Sequence, residues 1–285
     1  MPSPNQIIVS PVSGFRQQSL FIKLPRLLYD GLSGYVPPLD MESCGLLSPS
    51  KAPFFEHGFA CYFLAWRDGK PVGRISAHID AFALKQEGPR TGFFGALDTA
   101  EPECVGPLIE AAEHWLKLRG IERVRGPWTL NSNGQSGVMI EGQNEIPMIG
   151  TPWHPVSLGH AVEQAGYTKA MDLLSYRIET GSAAERANIL PFNVRERMGN
   201  ITMRGLRMDH VAEDAEILRE IYNDAWDGTW GNIPLTAKEV QSLLKELKPV
   251  LRPEQYVLAE VDGEPAAIAL VVPNMFDVCG DLGGG

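Results

Sequence analysis

Side chains able to bind or deprotonate a substrate gather in two stretches of this 285-residue chain. The first, Trp128 to Gly142 (WTLNSNGQSGVMIEG), sets amides and hydroxyls beside apolar residues, as a substrate-binding loop does. Trp128, Asn131 and Asn133 supply a ring face and amide groups there, although Asn131, Asn133 and Gly134 are equally ordinary turn formers. The second stretch offers Trp226, Trp230 and Asn232, either as a binding wall or as a packing plug. Glu141 and His154 are the titratable groups nearest the first stretch, and either could act as a general base. A surface carboxylate and a capping histidine are their plain structural alternatives. Gly134 to Val138 imitates the nucleophile elbow Gly-x-Ser-x-Gly, but the second glycine falls at 137, so Ser136 receives no nucleophilic role. His57, His78 and His114 lack ligand spacing, and Cys44, Cys61, Cys104 and Cys279 lack paired spacing, so no metal is expected.

These residues need a scaffold, and its clearest mark is Cys61 to Asp80 (CYFLAWRDGKPVGRISAHID), two apolar runs joined by Asp68-Gly69. Asp-Gly supplies the positive φ of a tight primed hairpin turn, and Pro71 suits a strand start. Tyr256 to Val272 (YVLAEVDGEPAAIALVV) writes the same sentence again, with Asp262 and Pro265 matching Asp68 and Pro71 at one offset of 194 residues. Ile201 matches Ile7 at that offset, so the repeat implies two units with a strand and hairpin in common register.

In chain order, Gln6 to Val12 reads as a strand, followed by a helix through Phe21, Leu24 and Leu28 that Pro25 would kink or shorten. Thr91 to Leu97 reads as a third hairpin-side strand. Leu108, Ile109, Ala112, Trp115 and Leu116 make one apolar stripe on a helix with Pro107 in its first turn and Gly120 past its end. Ile121 to Val124 is the next strand, Pro155 to Ala165 a short helix, and Thr168 to Ile178 a closing strand. The expected domains are 1–179, a linker at 180–200, and 201–285. In the last of these, Leu218 to Ala225 forms a helix and Thr236 with Glu239 caps another. Only thirteen residues follow Val272, so the second unit reads as the truncated N-terminal part of a domain.

Composition narrows the function classes. Apolar residues at 44% and charged residues at 21% are those of a folded chain. A net charge of −10 without a Lys/Arg run disfavours nucleic acid and anionic lipid as partners. No apolar run approaches the roughly 18 residues of a membrane span, and Met1 to Ser10 has no signal-peptide pattern, so the cytoplasm is the default expectation.

The order of elements, together with FIKLPRLLYD, YVPPLDME, APFFEHGFACYFLAWRDGKPVGRISAHID, TGFFG, Gly126-Pro127 and Ala165-Gly166-Tyr167, resembles the GNAT acetyltransferase superfamily, and within it bacterial tandem-GNAT proteins. Ile221 to Trp226 and Trp230 to Pro234 resemble the second unit of the same proteins. The resemblance implies an α/β fold of the α+β type, a mixed, mostly antiparallel sheet flanked by helices, in one complete and one partial copy. It implies acyl transfer from acetyl-CoA or another acyl-CoA to an amine, with Trp226, Trp230 and Asn232 near the acceptor. A pyrophosphate loop should follow the strand near Leu97, but that place holds Asp98, Glu101 and Glu103, which would repel phosphate, and the first copy therefore reads as a degenerate cofactor site. Two alternatives stand beside the acyltransferase: a binding or assembly protein, and a dATP pyrophosphohydrolase, a label some relatives carry. The latter has no array of spaced glutamates here.

Overall fold

The computed structural model describes residues 5–38, 47–130, 133–148, 150–178, 200–247 and 251–279. It divides into two units. One comprises Met1–Ala170 with Trp230–Ile233 and Asn274–Gly285, and the other Met171–Thr229 with Pro234–Pro273.

In the first unit the order is β1 (Ile7–Pro11), α1 (Gly14–Leu28), β2 (Gly58–Arg67), β3 (Lys70–Asp80), α2 (Ala81–Glu87), β4 (Thr91–Thr99), α3 (Val105–Lys117), β5 (Arg123–Arg125) and α4 (Ser157–Gln164). The five strands lie in chain order in one sheet, antiparallel except for the parallel pair β4 and β5. This is the mixed, mostly antiparallel sheet flanked by helices that the resemblance implies. Leu108, Ile109, Ala112 and Leu116 of α3 are at most 2% exposed and pack on Ile75, Ala77, Ile79 and Phe94, one face of the sheet. Phe21 and Leu24 of α1 pack on Leu64 and Ala96 of the opposite face. Layering of helices on both faces buries all nine residues of β4, which makes it the strand around which a site can be sealed from water.

The hairpin turn has the expected chemistry, with φ of 50° at Asp68 and 76° at Gly69. Two consecutive positive φ angles define the primed turn whose twist matches that of the strands. The second unit repeats it at Asp262 (53°) and Gly263 (88°), between β7 (Tyr256–Val261) and β8 (Glu264–Leu270). Even the irregularity recurs: the register shifts between Ala65 and Trp66 in one hairpin and between Ala259 and Glu260 in the other, the same offset of 194. Ile7 faces Arg67 as Ile201 of β6 (Ile201–Arg204) faces Val261. The pair that locks these strands differs in kind, because Trp66 donates to Ser10 Oγ at 3.0 Å where Arg204 meets Glu260 at 3.2 Å.

The second unit adds α5 (Val211–Ala225) and α6 (Ala237–Leu247) over its three-stranded sheet. The capping box forms: Thr236 N donates to Glu239 Oε2 at 2.8 Å and Glu239 N to Thr236 Oγ1 at 3.2 Å. Phe276–Cys279 is a last helical turn, α7.

Three local expectations change. Thr168 to Ile178 forms no strand, and Met171 to Ile178 are all exposed. An apolar run becomes a strand only where an edge takes its hydrogen bonds, and among the described residues none does. Helix α2 was not foreseen, although its signal was present in Asp80, whose carboxylate caps Phe82 N at 2.8 Å. Helix α1 continues through Pro25 to Leu28. The expected linker, apart from Asn200, lies outside the described residues. No helix among the described residues is long and apolar enough to cross a membrane.

Candidate functional site

The continuation of α1 through Pro25 has a chemical consequence. Proline has no N–H, so the carbonyl four residues earlier, that of Phe21, loses its helical donor. Arg74 of β3 supplies one instead: its Nη1 donates to Phe21 O at 2.7 Å, and its guanidinium stands 4.9 Å from the Phe21 ring centre. The other side of the guanidinium, Nε, donates to Asp98 Oδ2 at 2.7 Å, with the two side chains 12% and 10% exposed. A proline in a helix, a charged residue on a central strand and an acid at the end of β4 are thus one assembly.

That assembly forms a wall of a cavity at the C-terminal end of β4, where β5 has already ended. Tyr35, Arg74, Asp98, Thr129, Trp153 and His154 are among the residues that line it. Ala96, in the left-handed region at φ 42°, breaks the alternation of β4 there and brings Asp98 to the Arg74 side. Tyr29, Tyr35 and Trp153 form an aromatic cluster with centroids 5.1 to 5.2 Å apart, and Trp153 Nε1 donates to Gln143 O at 3.0 Å. Burial, and then the negative charge of Asp98, raise the Tyr35 phenol above its ordinary pKa, so it remains a proton donor, and its buried hydroxyl has no hydrogen-bond partner.

His154 is 6% exposed, and the backbone N–H of Met139 donates to its Nδ1 at 3.2 Å. Burial lowers its pKa below the ordinary histidine value, with Asp98 opposing and Arg74 assisting. The ring is therefore neutral near pH 7. With Nδ1 accepting, the proton of that neutral ring sits on Nε2. This changes the chemistry open to it: a histidine in this tautomer offers an N–H donor, as an electrophile does, and its lone pair is already used.

The other residues singled out from the sequence scatter. Glu141 lies exposed on its loop and does not line the cavity. Trp128 is a core residue, 5% exposed, stacked on Phe93 at 4.8 Å with its backbone N donating to Phe94 O. Trp230 stands edge-on to Trp128 at 6.0 Å, Asn232 is 7% exposed, and Asn133 Nδ2 donates to Ile233 O at 3.1 Å. Trp128 and Trp230 are thus in contact, and Trp230 keeps 38% of its surface exposed. Trp226 is 49% exposed against Tyr222, and Asn131 lies outside the described residues. Sequence reasoning passed over Arg74 and Tyr35. The available signal was an arginine in the middle of a long hairpin strand, next to Ile75.

Gly95 shows how tightly β4 meets the Trp128 segment, since a Cβ there would lie 1.8 Å from the Trp128 carbonyl oxygen. Gly95→Ala must displace backbone, and a loss of about 3 kcal/mol, at the upper end of overpacking costs, is expected in thermal denaturation.

The acidic loop after β4 is less anionic than its sequence suggests. Asp98 is paired with Arg74, while Arg67 holds Glu101 at 2.9 Å and Glu103 at 3.0 Å. It still does not suit a pyrophosphate: its side chains are carboxylates, and the arginine beside it is engaged. Among the described residues no group of three or more His, Cys, Asp or Glu side chains could hold a metal ion.

No protein-family model matches the chain. It is 36% identical over 280 residues to the bacterial ceramide synthase of Caulobacter vibrioides, covering 97% of the chain and 72% of that protein. It is 34% identical over 273 residues to Protein YghO of Escherichia coli, covering 93% of the chain and 67% of the relative. Among solved structures, a tandem GNAT protein from the clavulanic acid biosynthesis pathway aligns with 94% of the chain and 76% of its own length, at 10% identity and a TM-score of 0.47. A predicted acetyltransferase of Clostridium acetobutylicum with acetyl-CoA aligns with 60% of the chain and 96% of its own, at 12% identity and a TM-score of 0.36.

Proposed function

We propose an acyl-CoA-dependent N-acyltransferase for this chain, which belongs to the family of the bacterial ceramide synthase of Caulobacter vibrioides and Protein YghO. The acceptor class follows that relative's name: a ceramide is the amide of a long-chain amino alcohol, so a long-chain amine is the substrate to test. The observation that supports a reaction site in this chain is the cavity at the end of β4, where a neutral His154 and the Arg74–Asp98 pair line one space.

The roles divide by charge. An amine arrives as an ammonium, and Asp98 is the anion that draws it in. Arg74, bonded to that carboxylate at 2.7 Å, holds the anion in place. Once the ammonium has lost a proton, the amine nitrogen attacks the thioester carbonyl, and negative charge develops on the carbonyl oxygen. The Nε2–H of His154 stabilises that oxygen as a fixed donor. The C–S bond then breaks, and the second amine proton passes to the leaving thiolate. For the whole reaction, ammonium and thioester give amide, thiol and one proton.

The test is direct. The protein is incubated with a long-chain amino alcohol and acyl-CoAs of increasing length, and amide and free thiol are measured by mass spectrometry and thiol titration. Equal amounts of amide and thiol are expected. Thiol without amide, or neither product from any donor, would sink the assignment. The binding or assembly reading draws on one observation, the poor fit of the loop after β4 to a pyrophosphate, and predicts substrate binding without either product.

A further inference from the structure

The loop from Ile140 to Met148 displays large apolar side chains to solvent beside the cavity. Ile140, Ile146 and Met148 are exposed, the first at 62%, and Ile146 and Met148 stand on either side of Pro147, which lines the cavity. Leu32, also exposed, belongs to a second loop whose Val36 and Pro38 line the same space. The two loops touch, since a Cβ at Gly34 would lie 1.9 Å from the Gln143 carbonyl oxygen. Exposed apolar residues scattered singly are ordinary, but four on two adjoining loops beside one cavity form a rim, and such patches mark interaction surfaces.

Polar contacts fix the loop in this display. Trp153 Nε1 donates to Gln143 O at 3.0 Å, Asn274 Nδ2 to Pro147 O at 3.1 Å, and Glu145 N to Gly142 O at 2.9 Å. The backbone is tied down by these bonds while Ile140, Ile146 and Met148 remain in solvent. Charge then selects what the rim can meet. Gly126 to Thr168 contains no Lys or Arg, so the fixed charges of the segment that flanks the cavity are all carboxylates, on a chain of net charge −10. Such a surface is repelled by anionic lipid and attracted to a bilayer that bears ammonium groups.

We propose that the rim formed by Leu32, Ile140, Ile146 and Met148 docks the protein on a lipid bilayer that carries long-chain ammonium amphiphiles. An amine with a long alkyl chain partitions into bilayers, with its ammonium at the headgroup level and its chain among the acyl chains. Apolar side chains of a protein lying on a membrane sink into that same boundary, and attachment strengthens with the apolar area buried and with electrostatic attraction. Seated there, the cavity receives the ammonium at Asp98 while the alkyl chain stays in the lipid. The use of the docked amine as acceptor rests on the acyltransferase reading, whereas the docking does not.

Flotation with vesicles decides it. The protein is expected to float with vesicles of phosphatidylcholine and octadecylamine, and to remain unbound to vesicles of phosphatidylcholine and phosphatidylglycerol. Ile146→Ser combined with Met148→Ser leaves the net charge as it is, so it separates the rim from bulk electrostatic attraction. This double variant is expected to bind the amine-bearing vesicles at least about tenfold more weakly, having lost two of the inserted side chains. Its Tm, and its kcat on octadecylamine dispersed in detergent, should be unaltered. Vesicle binding that survives the double substitution, or that is equal on phosphatidylglycerol, overturns the docking. So does a dimer that the same substitutions dissociate, because a second copy would then cover the rim. If amide forms from the detergent-dispersed amine but the protein floats with neither vesicle, the docking fails and the acyltransferase reading stands. If the protein floats through the rim but makes no amide, the docking stands and the acyltransferase reading falls.

Discussion

His154→Ala is expected to lower kcat for amide formation about 10²–10³-fold, the cost of removing one preorganised oxyanion donor. The alanine loses the Nε2–H while Asp98, held by Arg74, remains to draw in the ammonium, so KM for the amine should change little. His154→Gln, which can place an amide N–H in the same space, should recover part of the rate. A general base at this position would behave differently: glutamine would rescue nothing, and the rate would follow the lone pair of His154 as it titrates. Glu141→Gln, on the exposed loop, is expected to leave kcat unaltered. A loss comparable to that of His154→Ala would return the catalytic role to Glu141. The buried ring also makes the protein acid-sensitive. Its folded pKa lies below the unfolded value near 6.5, so the unfolded chain binds the extra proton first, and stability falls as pH drops below about 6.5. Thermal melts between pH 8 and 5 follow this directly.

Asp214→Asn is expected to cost the second unit about 3 kcal/mol, the lower end for breaking a buried ion pair because its arginine partners are partly exposed. Asp214 is fully buried in the first turn of α5 and accepts from Arg204 Nη1 and Nη2 and from the backbone N, Nε and Nη2 of Arg207 at 2.7 to 3.1 Å. Burial by itself would raise its pKa, but the hydrogen bonds from Arg204 and Arg207 outweigh it and hold the carboxyl at about 2. The stabilisation is therefore complete above the unfolded value near 4 and is lost as pH falls from there toward about 2. Hydrogen exchange read at β6, β7 and α5 should show the loss confined to this unit. Uniform protection in the variant would show that the network adds nothing to stability.

Much of the scaffold was legible because its signals are local. Asp68-Gly69 and Asp262-Gly263 form their turns because two adjacent residues must take positive φ, and no distant group alters that preference. The α3 stripe buries as its spacing predicts, and Thr236 with Glu239 closes its capping box. The mixed sheet follows from the same elements in the same order. Thr168 to Ile178 failed as a strand because its composition says nothing about whether an edge will be available.

The site was less legible, and the reason is distance. Pro25, Arg74, Asp98 and His154 are far apart in sequence, and none belongs to a motif with the others. From residue types alone one could name His154 as a proton-transfer candidate and Trp226, Trp230 and Asn232 as either wall or plug. Only the tertiary structure shows that Trp128 is buried against Phe93 while Trp226 and Trp230 stay partly exposed. It also turns Pro25 into the reason for an arginine contact, by leaving the Phe21 carbonyl without its helical donor. Likewise, chain order cannot say which nitrogen of His154 carries the proton. That depends on where the Met139 N–H points, and so on how the loop after Trp128 closes over the end of β4. Residue type determined that His154 could exchange a proton, and the fold around it decided that it offers one.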